Sequence, residues 1–252
     1  MHTLSVAALL AQLEARAYVP YSGQAQAAVL VLSDGSWLPG VRVENASFSL
    51  SITAVENAVT TAVTLGRTDI VGVASTTGLR SREIDFLQAI AGQALSRHSD
   101  VHFGHLPPAL PEAPLALPAL ADPADAVAAV RVVAERARVP ASSFPVGCLA
   151  HSLDGTAIPG VNVETDDWGQ ILCAERNALS TALSYGYTAF DALTLTCPRD
   201  PSGTPCGACR QVIVELATHA DIRCDRHNGV IETYRPDELL PAFFVGGVLR
   251  SS

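Results

Sequence analysis

The sequence predicts an α/β layered fold that is present twice. Three observations predict it: strand-like apolar runs alternate with helix-like segments, the chain repeats itself at a fixed offset, and a proline-rich stretch separates the repeats. Its 252 residues are enough for two domains, each able to bury a core of its own. Hydrophobic residues make up 48% of the chain and charged ones 16%, yet no apolar run reaches the ~18 residues of a membrane span, so a water-soluble protein with no membrane partner is expected.

The repeat is read directly. "RAYVPYSG" from Arg16 returns as "RARVPASS" from Arg136, and "DGSWLPGVRVEN" from Asp34 as "DGTAIPGVNVET" from Asp154. Between Arg16 and Gly66 an offset of 120, carried without a gap, gives 18 identities in 51 positions, which marks a tandem duplication. Each copy opens with an amphipathic helix, expected near 4–17 and 124–137. Strands follow near 27–33 and 146–150, then the turn signals Asp34-Gly35 and Asp154-Gly155, then second strands ending near Glu44 and Glu164. A helix comes next in each copy, near 53–65 and 173–185, and Gly66 and Gly186 stop them. "IVGVA" and "ALTLTC" are the apolar strands after these helices, and in the second copy a further helix opens at "PCGAC". Repeated prolines make residues 105–123 an extended linker. The domains predicted are therefore 1–104 and 124–252.

The opening residues lack a basic n-region and carry Glu14 and Arg16 just past their apolar stretch, so they read as a helix rather than a signal peptide, and a cytoplasmic location is expected. In that compartment the six cysteines are expected to be reduced, which favours metal binding over a disulfide framework. A net charge of -9 opposes a nucleic-acid partner, because such partners are held by Lys and Arg on phosphates, and favours a small neutral substrate.

Cys206 and Cys209 stand three apart at a predicted helix start, and Cys173 heads the helix before. The partial positive charge of a helix N-terminus lowers thiol pKa values, so all three are placed to be thiolates. Three protein ligands leave a tetrahedral zinc one open position, the pattern of a catalytic site, and Glu175, two residues after Cys173, would supply acid/base chemistry. By itself C-x-x-C also fits a redox pair, half of a four-cysteine structural site, or two buried thiols. Cys148, Cys197 and Cys224 read as small core residues, although Cys197 could close the site as a fourth ligand.

Taken together, "SSFPVG", "GVNVE", "CAERNA", "PCGACRQ" and "ELLPAFF" in the second copy, with "VPYSG" and "VRVENASFSL" in the first, resemble the cytidine deaminase family. The resemblance implies two tandem deaminase-like domains, each a three-layer α/β/α with a mixed sheet. It implies one zinc per chain on Cys173, Cys206 and Cys209, with Glu175 moving protons between water, ring nitrogen N3 and the leaving ammonia. Arg176 would offset the negative charge of the sulfurs, Asn162 and Glu164 would hold ribose hydroxyls, and Phe144 and Ala174 would contact the base. In the first copy Thr53, Val55, Arg42 and Gln24 stand where Cys173, Glu175, Asn162 and Phe144 stand in the second, so 1–104 is expected to be non-catalytic. The "ENASF" loop of that copy, with Ala46 and Phe48, corresponds to one that reaches a neighbouring subunit's pocket in oligomeric members, whereas the second copy has "ETDDW". A homodimer is therefore expected, with Phe48 lining a second copy's zinc pocket either within its own chain or in the dimer mate. The activity implied is deamination of cytidine and deoxycytidine in pyrimidine salvage. A modified cytosine nucleoside, as in the related blasticidin-type deaminases, is the nearest alternative, and a zinc-stabilised binding or scaffold protein is the alternative of another class.

Overall fold

A computed structural model describes residues 2–117 and 125–249. The first copy runs β1 (Thr3–Leu4), α1 (Val6–Glu14), β2 (Ala27–Leu32), β3 (Trp37–Val41), a 3-10 turn (Phe48–Leu50), α2 (Ala54–Thr64), β4 (Ile70–Ser75), α3 (Ser81–Ala91) and β5 (His102–Gly104). After β6 (Leu110–Pro111) come α4 (Ala126–Ala134), β7 (Gly147–Ser152), β8 (Ala157–Val161), β9 (Val163–Glu164), β10 (Ile171–Leu172) and α5 (Ala174–Tyr185). The chain then continues through β11 (Phe190–Thr196), α6 (Gly207–Leu216), β12 (Asp221–Asp225), β13 (Ile231–Tyr234) and α7 (Pro236–Leu239).

Local chemistry sets the helix ends. Ser5 and Thr53 each cap a helix, their hydroxyls accepting from the Ala8 and Glu56 amides at 3.2 and 3.3 Å. Gly66 and Gly186 adopt positive φ just past α2 and α5, where a side chain would be strained. The opening helices are shorter than their predicted spans, because turns at 15–17 and 135–137 redirect the chain towards the next strand.

One sheet has the order β3-β2-β4-β5 and the other β13-β12-β11-β7-β8. On β2 every residue is buried, since helices cover both faces. Ala27, Val29 and Val31 pack with Leu9 and Leu13 of α1, whereas Ala28, Leu30 and Leu32 pack with α2. The α/β/α layering follows from that alternation. Mixed pairing occurs in the second sheet, where β11 and β12 are parallel; the four strands of the first are all antiparallel. The difference arises after the third helix of each copy: α6 returns the chain parallel to β11, while the 92–101 segment folds back on β5 and brings it in antiparallel. Strand register preserves the duplication, with Ser75 opposite Ala28 and Leu195 opposite Cys148, each 120 residues apart from its counterpart.

Helices α2 and α5 meet along a pseudo-twofold seam. Asn57 Nδ2 donates to the Val41 carbonyl of its own copy at 2.9 Å, then to the Ser180 carbonyl and the Ser184 hydroxyl at 3.0 and 2.8 Å. Asn177 Nδ2 reproduces this set on Val161 O, Thr60 O and Thr64 Oγ1, at 2.9, 3.4 and 2.8 Å. The Thr61 and Thr181 hydroxyls meet at 2.8 Å, and each equivalent arginine, Arg16 and Arg136, reaches the last turn of the other copy's helix. Every pair is related by 120.

The described part of the 105–123 linker is extended, as its prolines require, but it is also anchored. Its β6 pairs with β1, Pro111 O accepts from Trp37 Nε1 at 2.8 Å, and Leu115 O accepts from Tyr185 Oη at 2.8 Å. The rest of the predicted linker, 118–123, and residue 124 lie outside the described residues.

Candidate active site

Two helix starts converge in the second copy. Cys173 is the N-cap of α5 and Cys206 that of α6, with Cys209 one turn further along α6. Cys173 and Cys206 sulfurs lie 3.8 Å apart, those of Cys206 and Cys209 3.6 Å apart, and all three fall within 4.8 Å of one another. Ligands at ~2.3 Å in a tetrahedron are separated by ~3.8 Å, so these thiols fit a zinc ion without rearrangement. Among the described residues this is the one such cluster, and Cys197 is not part of it. Buried at 8% exposure, Cys197 instead lines the neighbouring cavity, and desolvation pushes its thiol up to about 12. Cys206 is shifted strongly the other way by hydrogen bonds to its sulfur, first from Cys173, then from Cys209, with the Ala208 and Cys209 amides of the helix start adding to them.

A cavity of about 420 Å³ opens beside the thiols, lined by Cys173, Ala174, Glu175, Cys206, Phe144 and Asn162. It thus gathers six of the residues singled out from sequence. Glu175 is 4% exposed, and Cys209 Sγ donates to its Oε2 at 3.2 Å. Burial raises its carboxyl to about 7, against the lowering effects of a backbone amide, Cys209 and Arg176. Asn162 uses both ends of its amide, accepting from Val146 N and donating to Phe144 O, each at 2.8 Å, and so fixes the loop that carries the aromatic ring.

Four predicted residues stand elsewhere. Glu164 is buried outside the cavity wall, its carboxylate accepting from the Ala141 amide, the Ser142 amide and the Ser142 hydroxyl, which closes the loop before Phe144. Glu44 does the same for Tyr21 and Ser22 in the first copy, where no thiols exist, so part of this glutamate's work is structural. Arg176 Nη2 donates to Leu50 O at 2.8 Å, across the copies, and its buried Nε has no hydrogen-bond partner among the described residues. Phe48 is 88% exposed and lines a cavity of the first copy, not the thiol cavity of this chain. Ala46 is buried, its amide donating to Glu215 Oε2 at 2.9 Å, alongside Asn45 Nδ2 at 2.8 Å.

Sequence reasoning missed Asp200, Ser202 and Thr204, which form the far wall of the thiol cavity from the loop between β11 and α6. The signal available was their place, two to six residues ahead of Cys206. No arginine or lysine lines this cavity among the described residues.

Three converging thiols and a buried carboxylate in an α/β/α frame define a zinc-binding hydrolytic enzyme. The family described as "Cytidine and deoxycytidylate deaminase zinc-binding region" matches residues 2–78 and again residues 123–222, and the chain belongs to that family, twice over. It is 39% identical over 111 residues to a cytidine deaminase of Sporosarcina psychrophila, covering 44% of this chain and 82% of the relative. It is 40% identical over 112 residues to one of Halalkalibacterium halodurans, covering 44% and 84%. The crystal structure of cytidine deaminase from Burkholderia pseudomallei aligns at 34% identity with a TM-score of 0.46, covering 49% of this chain and 99% of that one.

Proposed function

We propose that residues 124–252 hydrolytically deaminate cytidine and deoxycytidine to the uridine nucleosides plus ammonia, and that 1–104 takes no part in the chemistry. The observation that carries this reading is the buried Glu175 carboxyl, on the wall of a nucleoside-sized cavity and within hydrogen-bond distance of one of the three clustered thiols. Bound by Cys173, Cys206 and Cys209, zinc supplies the Lewis acidity that makes water nucleophilic near neutral pH. Glu175 takes a proton from the water that adds at C4, delivers it to ring N3, and carries a second to the departing amine. Phe144 offers its ring to the base and Ala174 its backbone, while Asn162 keeps Phe144 in place and faces the sugar. Arg176, whose charge is felt at Glu175, offsets the charge of the thiolates.

A cavity wall with Asp200 and no cationic side chain favours a free nucleoside over a 5'-phosphate. A modified cytosine nucleoside remains an arm of the test, because the "ETDDW" loop leaves Asp166, Asp167 and Trp168 exposed near the cavity strand. A scaffold role has no use for a carboxylate buried beside the metal ligands. We assign the activity to pyrimidine salvage in the cytoplasm. We also propose that two chains associate, since Phe48 in this chain could reach a thiol cavity only in a partner. The test is elemental analysis combined with ammonia release over a panel of cytosine nucleosides, bases and nucleotides. One zinc per chain and fastest release from cytidine or deoxycytidine are expected; two zincs per chain, or faster turnover of CMP than of cytidine, refutes the reading.

A further inference from the structure

The first copy has not filled the space where its chemistry was lost. It keeps a cavity of about 550 Å³, within the range of ligand pockets. Thr53 lines it at the address of Cys173, and Arg42 lines it at that of Asn162. At the start of α3 the N-cap is Arg80 and the third helical residue Glu83, the places held on α6 by Cys206 and Cys209. Two ligands of a metal have thus become an ion pair, Arg80 Nε to Glu83 Oε2 at 3.7 Å, with the Glu83 carboxylate also accepting from the Arg80 amide at 2.9 Å.

Three guanidinium groups therefore border this cavity, where the thiol cavity has none. Arg42 shares Glu44 at 3.1 Å, and Arg82 has no carboxylate partner among the described residues and donates only to the Gly169 carbonyl. The Glu56 carboxylate, which also lines it, has no ion-pair partner among the described residues, and burial raises its pKa against the pull of Arg176, Arg82 and a hydrogen bond from the Thr53 backbone. Phe48 presents an open ring at the rim. Guanidinium groups suited to a doubly charged oxyanion, beside a carboxylate acceptor, match one ligand chemistry.

We propose that the first copy's cavity is a second, non-hydrolytic binding site for a pyrimidine nucleoside 5'-phosphate. Arg80 and Arg82 take the phosphate, Arg42 the sugar side, and Glu56 the base. The nucleoside part of this assignment rests on the proposed deaminase reading, since it assumes the cavity descends from a nucleoside pocket; the phosphate part rests on the arginines alone. The site holds what the thiol cavity excludes.

Equilibrium dialysis of the zinc-loaded full chain with labelled CMP tests it. One CMP per chain is expected, undisplaced by excess cytidine, with inorganic phosphate binding at least tenfold more weakly. Arg82→Ala is expected to weaken CMP about tenfold or more, the scale of a lost charged hydrogen bond, and to leave cytidine turnover within about twofold. Arg42→Gln serves as the second variant if thermal melting shows that Arg82→Ala has unfolded. One-for-one displacement of CMP by cytidine, no CMP binding, or phosphate binding as tightly as CMP overturns the proposal, and these readouts on the unaltered protein stand even if both variants fail to fold. Ammonia release from cytidine is measured in the same samples, so loss of the deaminase reading shows there, independently of the dialysis.

Discussion

Cys206 and Arg80 hold the same place at the start of equivalent helices, and the chemistry of the two copies diverges there. A thiolate at an N-cap is stabilised by the helix amides and by neighbouring thiols; a guanidinium has no such benefit and instead pairs with Glu83 one turn on. Glu175 has no counterpart, because Val55 stands at its address. Replacing Glu175 by Gln keeps size and burial but removes the proton carrier. Zinc content and fold are expected to persist while deamination falls by ~10²- to 10⁴-fold, the usual worth of general acid/base catalysis, or more because the group acts twice. Steady-state kinetics checks this, and a loss of less than tenfold assigns the proton to another group. The thiols and Glu175 were legible in the sequence because their spacing relative to helix starts is local. The loop-closing role of Glu164 was not, because its hydrogen bonds depend on how the chain returns over 22 residues to Ser142. The bond from Arg176 to Leu50 was likewise hidden, since Leu50 lies 126 residues away in the other copy.

At the scale of elements, the repeated strands and central helices were legible through period and turn signals, and β2 stands within a residue of its predicted span. The two-residue strand β10 and the late strands β12 and β13 were not, because short or partly polar strands leave no period to count. Seam hydrogen bonds were invisible as well, although Arg16, Asn57 and Thr61 are among the identities of the repeat: Asn57 and Asn177 matched between copies without showing why. Asn177→Ala strips the Val161 carbonyl and the Thr64 hydroxyl of a buried donor, and should cost about 1–3 kcal/mol in urea unfolding. A change below 0.5 kcal/mol, the scatter of an ordinary surface substitution, would mean the seam tolerates water there. A second clip joins α4 to β12. Asp225, buried, accepts from Arg131 Nε and Nη2 at 2.7 Å each, from the Thr196 hydroxyl and from the His227 amide. Desolvation alone would raise its carboxyl, but these bonds outweigh it and hold it well below the usual range. A depressed carboxylate stabilises the folded chain fully above its unfolded value of ~3.9 and loses that contribution as pH falls through the folded value. The stability gap between the parent chain and Asp225→Asn should therefore be full at pH 6 and shrink steadily below about pH 4. A gap independent of pH from 6 to 2 contradicts this.

For the molecule as a whole, the buried clusters ignore the boundary between copies. Leu149, Ala157, Val161 and Val163 belong to the cluster built on α2, while Leu172 and Leu183 join the one built on α1. All of α5 from Ala174 to Ser184 is buried, on one side by α2. Cutting the chain to 124–252 would expose that side and leave Arg176 without Leu50. The fragment should be poorly soluble or at least tenfold less active, read from sedimentation and specific activity; a monomeric fragment of full activity would make the first copy dispensable. What the seam holds together is also beyond the reach of mass action. Paired by hydrogen bonds at matching addresses, it has the form of a contact between two identical molecules, and such a contact comes apart on dilution. Here both sides belong to one chain, so the local concentration of each for the other stays the same however little protein is present.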